Sequence, residues 1–140
     1  MEDFQGAFEQ RRLDTEELIE KKRRTAAMHW GGCTVEVLLK AIIVSHHNIT
    51  EWKTASNDPG HSITNPGHDL LDAVRRLNRL KSRMESVPGM LGILNKVQNP
   101  DGHFIDLRYS AVDPDDPRYN QWLEAYRRLV NWILKEATQL

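Results

Sequence analysis

Histidine and cysteine are the first residues to consider, because their spacing decides whether a metal site is possible. The chain has six histidines and one cysteine among 140 residues. His46 and His47 are adjacent, so on a helix they project about 100° apart and cannot grip one ion as an i, i+4 pair does. With no His-x3-His spacing and a single cysteine, the sequence indicates neither a metal site nor a cofactor.

The motifs of two common enzyme classes are also missing. Gly31-Gly32 lacks the Lys-Ser/Thr that a phosphate-binding P-loop requires. No serine lies beside a histidine in a recognisable nucleophile elbow. The sequence therefore gives no support for a metallohydrolase, a P-loop nucleotide hydrolase or a serine hydrolase.

Glu36 and Lys40 are four residues apart, next to an apolar stripe. One interpretation is a surface pair that adds a few tenths of a kcal/mol to helix stability. The other is a pair that flanks a groove for a ligand or partner. Asp69 suits the first turn of a later helix, where His68 either caps the helix or faces solvent. Arg108 is better suited to pinning its loop to a carboxylate or to helix-end carbonyls than to catalysis.

Arginines form a dense cluster at Arg75, Arg76, Arg79 and Arg83, with Lys81 among them. A second basic cluster covers residues 21–24. Nineteen basic and twenty acidic residues give a net charge of -1, so nucleic acid could be attracted only by a local patch. Either the arginines are a solvated helix face, or the two clusters meet on one side and bind RNA or DNA.

The elements that position these residues are predicted to be helices. Between residues 27 and 43, apolar doublets recur every four residues, which predicts a buried helix that ends near residues 46–48. Gly31 and Gly32 each weaken a helix by about 1 kcal/mol. They mark either a break between two helices or a place where a neighbouring backbone packs closely.

Capping signals and periodicity predict the other helices. The first begins at Asp14, with residues 1–13 as an N-terminal arm, and the last begins at Asp116-Pro117. Between them we expect a loop over residues 54–66, a third helix over 70–83, a short fourth helix over 90–97, and an irregular stretch over 99–117 in which 104–109 are extended. The sequence thus predicts one all-α domain, residues 1–140, an up-and-down bundle of four to five helices with long loops around the short fourth helix.

Localisation is predicted from what the sequence lacks. One cysteine cannot form an internal disulfide, and the acidic segment Met1–Phe4 does not look like the start of a signal peptide. No run approaches the roughly 20 apolar residues of a membrane span. We therefore expect a cytoplasmic protein without membrane contact.

Three stretches together resemble the HEPN family (higher eukaryotes and prokaryotes nucleotide-binding domain). Residues 26–41 (AAMHWGGCTVEVLLKA) are similar to the family's small-residue helix with a glutamate followed by Leu-Lys-Ala. Residues 67–71 (GHDLL) look like the Gly-His-x-Leu opening of the next helix. Residues 105–109 (IDLRY) are similar to the Arg-Tyr that precedes the final helix. The similarity extends over residues 20–136.

The resemblance implies a helical bundle, often a homodimer, which prokaryotes commonly encode beside a nucleotidyltransferase-like partner. Many family members are metal-independent ribonucleases that use an arginine, four to six residues, then a histidine near the last core helix. In this chain no histidine follows His103. Arg24-x4-His29 and Arg23-x5-His29 have the spacing, but both lie before the glycine pair.

The sequence and the resemblance leave three functional hypotheses open. The first is a non-catalytic module that binds a partner protein, RNA or a nucleotide-bearing ligand, in a two-component system similar to a toxin–antitoxin pair. Its ligand- or partner-binding residues would be Glu36, Lys40, His68, Asp69, Arg108 and Tyr109. The second is a toxin-like ribonuclease, in which Arg24 offsets phosphate charge and His29 transfers protons. The third is a purely structural protein.

Overall fold

The structure, a computed structural model, describes residues 1–52 and 63–140. Within these ranges the chain forms six α-helices, one 3-10 helix and no strand, which confirms the predicted all-α bundle. The helices are α1 (Phe4–Glu20), α2 (Arg24–His47), α3 (Leu70–Arg75), α4 (Asn78–Ser86), α5 (Met90–Gln98) and α6 (Asp116–Ala137), with the 3-10 helix at Phe104–Tyr109. Most of the loop expected over 54–66, and His61 with it, lies outside the described residues.

Helix α2 lies at the centre of the fold and runs through both glycines without a break. A Cβ atom on Gly31 would overlap the indole ring of Trp122 in α6. A Cβ atom on Gly32 would overlap the ring of Phe104 in the 3-10 helix. The two glycines therefore let aromatic side chains approach the surface of α2. They lie inside a helix at a close contact, as one interpretation predicted, but the close neighbours are side chains and not a backbone. The helix ends where the periodicity predicts, with Asn48 as its left-handed C-cap.

Helix α1 begins ten residues earlier than the capping pattern predicts. Asp3 caps it by accepting a hydrogen bond from the Gly6 amide at 2.9 Å. Phe8 and Thr15 are buried, and the Thr15 hydroxyl lies 3.1 Å from that of Thr34 in α2. The predicted arm over residues 1–13 is therefore wrong, because burial of Phe8 adds its segment to the helix. Asp14 lies within α1, not at its start.

The expected third helix is two helices. Helix α3 ends in a tightened turn, in which the Leu77 amide donates to the Val74 carbonyl at 2.9 Å, and α4 begins at Asn78. Leu77 and Leu80 are both buried, as the periodicity predicts. Apolar residues three and four apart face the core in one helix or in two, so the pattern could not reveal the break.

Residues 104–109, expected to be extended, form a 3-10 helix. The Nδ1 atom of His103 accepts a hydrogen bond from the Ile105 amide at 3.1 Å and caps the first turn. Phe104 is buried on Gly32, which fixes the segment against α2. Helix α6 follows, capped by Asp115 instead of Asp116, with a proline in its first turn as expected.

By length and composition, α2 could cross a membrane, alone among the helices of the described ranges. In the structure, 56% of its most apolar stretch is buried against the rest of the molecule. The core helix of a soluble protein passes the same test of length and composition, so this property of α2 does not by itself show contact with a membrane. The absence of membrane contact stays a prediction.

Candidate functional site

One face of α2 carries four side chains that can bind protons or form ion pairs. His29, Cys33, Glu36 and Lys40 are separated by four, three and four residues, which places them within an arc of about 60° at 100° per residue. The line is about 16 Å long at 1.5 Å per residue. We call these four residues the polar stripe. The 3-10 helix contacts one end of it, and the turn before α3 contacts the other.

His29 is held by a backbone carbonyl of the 3-10 helix. Its Nδ1 atom lies 2.9 Å from the oxygen of Phe104. A carbonyl can only accept, so Nδ1 carries the proton, and in the neutral ring Nε2 is an acceptor. Nε2 lies 3.9 Å from the sulfur of Cys33. The ring is thus fixed in one tautomer.

Cys33 is a protonated thiol in this setting. Burial raises its pKa to about 12, and the nearby carboxylate of Glu36 adds to the increase. The guanidinium groups of Arg11 and Arg108 act in the opposite direction but do not offset the burial. The thiol can donate weakly to His29, and it is not activated as a nucleophile.

A cleft opens at the N-terminal end of the polar stripe, between the start of α2 and the residues that follow the 3-10 helix. Its volume is about 500 Å³. We call it the His29 cleft, and the residues that line it include Arg23, Thr25, His29, Trp30, Arg108 and Asp113. The Asp113 carboxylate accepts from the hydroxyl of Thr25 at 2.8 Å. Two arginines therefore face one carboxylate that is already engaged, so the cleft favours an anion.

A larger surface groove of about 670 Å³ lies along α1 and contains none of the candidate residues. Three glutamates line it, Glu16, Glu17 and Glu20. Glu17 pairs with Lys21 at 2.8 Å, and Glu16 pairs with Arg127 at 3.2 Å. We therefore place the candidate site in the smaller, basic cleft.

Arg24, the arginine expected beside His29, is engaged elsewhere. Its guanidinium lies 2.6 Å from the Asp116 carboxylate, 3.3 Å from the carbonyl of Pro114 and over the ring of Tyr119. These contacts tie α2 to the start of α6. Both Arg23 and Arg24 have the four- to six-residue spacing to His29 that the ribonuclease motif requires. Only Arg23 lines the His29 cleft.

Glu36 and Lys40 form a buried ion pair. The Nζ atom of Lys40 lies 3.0 Å from one carboxylate oxygen of Glu36, and the two side chains are 8% and 11% exposed, respectively. The surface-pair interpretation is therefore wrong. The second carboxylate oxygen lies 2.6 Å from Nδ1 of His68, whose side chain is 53% exposed. We call these three residues the Glu36 network.

The turn that carries His68 is fixed by hydrogen bonds on both sides. The amide of Gly67, at a φ of +64°, donates to the side chain of Asn65 at 2.9 Å. Asp69 caps α3 by accepting from the Asp72 amide at 3.0 Å, and the side chain of Gln98 accepts from the Leu70 amide at 2.6 Å. The structure thus gives Asp69 a capping role at the position before the first turn.

Arg108 and Tyr109 lie on the surface at the end of the 3-10 helix. The Arg108 guanidinium lies over the Tyr109 ring at 4.8 Å, and Tyr109 is 77% exposed. Within residues 1–52 and 63–140, this contact with Tyr109 takes the place of the carboxylate or helix-end carbonyl that we expected for Arg108. It lines the His29 cleft, and Tyr109 lies just beyond the lining.

The predicted arginine patch is only partly free. Arg76 donates to the Asp72 carboxylate at 2.8 Å and to the Thr64 carbonyl at 3.1 Å. Arg83 lies 3.4 Å from Glu136 of α6. Arg75 and Arg79 are exposed. Because α3 and α4 are separate helices, the four arginines do not form one continuous helical face.

Three residues of this region were not predicted from the sequence: Arg23 as a lining residue, Trp30 and Cys33. The polar stripe had a readable signal, since its i, i+4, i+7, i+11 spacing lies on one helical face. Arg23 had none, because a one-residue difference in helix start decides which arginine faces the cleft. Among the described residues, no group of three His, Cys, Asp or Glu side chains could hold a metal ion.

No family model, curated protein or solved structure matches this chain. The resemblance to the HEPN family therefore depends on the three sequence stretches and their order.

Proposed function

We propose that this chain is a HEPN-like binding module that holds a nucleotide or another phosphate-bearing ligand in the His29 cleft and does not turn it over. One observation carries the proposal: Arg23 and Arg108 line the same cleft as His29 and Trp30. Guanidinium groups bind phosphate through paired N–H donors. An indole ring can stack on a base.

The size and charge of the cleft support the same conclusion. A volume of about 500 Å³ falls within the range of about 300–1,000 Å³ that is usual for small-ligand sites. Asp113 accepts hydrogen bonds from both the amide and the hydroxyl of Thr25, at 3.3 and 2.8 Å. The lining thus has two guanidinium groups and one carboxylate, so its net charge is positive and favours an anion.

The HEPN resemblance supplies the setting of the proposal. It supports a homodimer with a nucleotidyltransferase-like partner, in a two-component system similar to a toxin–antitoxin pair. The single cysteine supports a cytoplasmic location. Size-exclusion chromatography with light scattering tests the homodimer. A mass of twice the chain supports it, and a clean monomer at micromolar concentration contradicts it.

Ligand binding is tested by calorimetry with AMP, ATP and a short single-stranded RNA. We expect heat from wild type and about tenfold weaker binding by Arg108→Ala, because a charge-assisted hydrogen bond is lost. Arg79→Ala is the matched control, an exposed arginine on α4 away from the cleft. If Arg79→Ala weakened ligand binding and Arg108→Ala did not, the arginine patch would be favoured as the binding site. No heat with any ligand would favour a structural or protein-binding role.

A second candidate function is a toxin-like ribonuclease, and one observation favours it. The Phe104 carbonyl holds Nδ1 of His29, so Nε2 is the atom that would accept the ribose 2′-hydroxyl proton. Arg24 is tied to Asp116, so Arg23 or Arg108 would have to offset the phosphate charge. The ribonuclease hypothesis is tested by comparing the rates at which wild type and His29→Ala cleave single-stranded RNA. Equal rates would exclude His29 from the reaction.

A further inference from the structure

The Glu36 network does not line the His29 cleft, and the proposed ligand does not use it. Glu36 and Lys40 are two charged side chains buried together. Such a pair adds little net stability compared with apolar residues, because the cost of removing both charges from water offsets their attraction. What the pair does provide is orientation, since each carboxylate oxygen of Glu36 has one fixed partner.

The orientation of His68 follows from its partner. A carboxylate can only accept, so Nδ1 of His68 donates to Glu36 across 2.6 Å. In the neutral ring the lone pair is then on Nε2. Since the side chain is half exposed and its turn is fixed by Asn65 and Gln98, a basic nitrogen is held in a set position at the surface.

Among the histidines of the described residues, His68 alone has a carboxylate partner. His29 and His47 contact backbone carbonyls, and Nδ1 of His103 accepts from an amide. His46 is exposed and packs edge-on against its neighbour. A carboxylate partner fixes the tautomer and orientation of the ring and stabilises the imidazolium that forms when the opposite nitrogen takes a proton.

We propose that Glu36 and His68 form a proton-transfer pair, with Lys40 as a positioning residue. Nε2 of His68 accepts the proton of a hydroxyl group or a water molecule. The O–H bond breaks, its electron pair stays on oxygen, and an N–H bond forms on the ring. Glu36 keeps its negative charge beside Lys40 and stabilises the imidazolium. The pair is independent of the ligand in the His29 cleft.

The reactivity of Nε2 toward diethyl pyrocarbonate tests the proposal without a known substrate. The reagent is added at mildly alkaline pH, and mass spectrometry follows the rate at each histidine. We expect Glu36→Gln to slow the reaction of His68 about tenfold, because the neutral amide oxygen of glutamine is a weaker partner for the ring than a carboxylate. The rate at the exposed His46 should not change, which makes it the internal reference. An unchanged rate at His68 would overturn the proposal.

Glu36→Gln leaves the buried ammonium of Lys40 without its counterion, which can prevent folding. A second variant therefore tests the same proposal without an unpaired buried charge. Glu36→Gln combined with Lys40→Met removes both charges and keeps the side-chain volumes. Circular dichroism checks that it is folded. A merely structural role would change the rates at His29 and His103 together with that at His68. A loss confined to His68 in this folded variant supports the pair, and wild-type reactivity at His68 refutes it.

Discussion

Helix α2 presents two histidine sites that differ in what holds the imidazole ring. At its N-terminal end, a neutral backbone carbonyl holds His29 in a cleft lined by arginines. Two turns further along, the buried carboxylate of Glu36 holds His68 from the turn before α3. The arginines of the first site favour the binding of an anion. In the second site, Glu36 holds Nδ1 of His68, which leaves Nε2 to act as a base. One helical face can therefore support two chemistries, because the partner of each ring differs.

The two sites also depend on different features of the fold. The His29 cleft exists because Gly32 lets Phe104 and its 3-10 helix lie against α2. The Glu36 network exists because two charges are buried together beneath the turn that carries His68. Each feature can be changed alone, which allows the comparison to be tested from the largest effect to the smallest.

The largest effect is expected from Glu36→Ala. Removing one partner of a buried ion pair leaves an uncompensated charge, which should lower the free energy of unfolding by about 3–5 kcal/mol. Urea denaturation measures it. Glu17→Ala is the matched control, since Glu17 and Lys21 have the same spacing but are exposed, and it should change stability little. Equal effects in the two variants would mean that the Glu36 network is not buried as described.

Gly32→Ala should have the next largest effect and should act on the other site. The added methyl group overlaps the Phe104 ring, which should destabilise the protein by about 1–3 kcal/mol and displace the 3-10 helix. We expect thermal unfolding at a lower temperature and weaker AMP binding. Gly92→Ala in α5 meets open space and should instead stabilise by about 0.5–1 kcal/mol. If Gly32→Ala bound AMP as tightly as wild type, the His29 cleft would not depend on the contact between Gly32 and Phe104.

Asp69→Ala should cost about 1 kcal/mol, the usual loss for a helix N-cap. Because Asp69 caps α3 and does not line the His29 cleft, calorimetry should give unchanged AMP affinity. Weaker AMP binding at unchanged stability would show that Asp69 contacts the ligand, as the sequence analysis expected.

The smallest effect at neutral pH concerns Cys33. Its pKa is raised from 9.0 to about 12, so the folded state keeps a proton that the unfolded state loses between these values. Stability should therefore fall as the pH rises above about 9. Iodoacetamide should label native Cys33 much more slowly than the urea-unfolded chain at the same pH. Equal labelling rates would contradict a thiol that is shielded by the fold.

The all-α class and the course of α2 could be predicted, because a doublet of apolar residues every four positions fits a buried helix. The break between α3 and α4 could not, because residues such as Val74, Leu77 and Leu80 face the core in either arrangement. The start of α1 was missed because Asp14 and Glu17 imitate a capping box inside a helix. The burial of Phe8, which extends the helix to residue 4, has no signal in that capping pattern.

For the candidate site too, some features could be predicted from the sequence and others could not. Glu36, Lys40 and His68 were predicted as binding residues from the sequence, and the structure brings Glu36 and His68 together across 32 residues. Burial of the ion pair could not be predicted, since charged pairs at this spacing are mostly exposed. The placement of Arg23 instead of Arg24 in the cleft depends on a three-residue turn between α1 and α2, which local spacing does not determine.

Chemical-shift mapping of the amide groups during titration with AMP tests the His29 cleft most directly. The proposal predicts shifts concentrated in residues 23–30 and 107–113, with little change over 75–83. Arg108→Ala should weaken them, and Arg79→Ala should not. Shifts centred on residues 75–83, or none at millimolar AMP, would contradict a phosphate-binding cleft on α2.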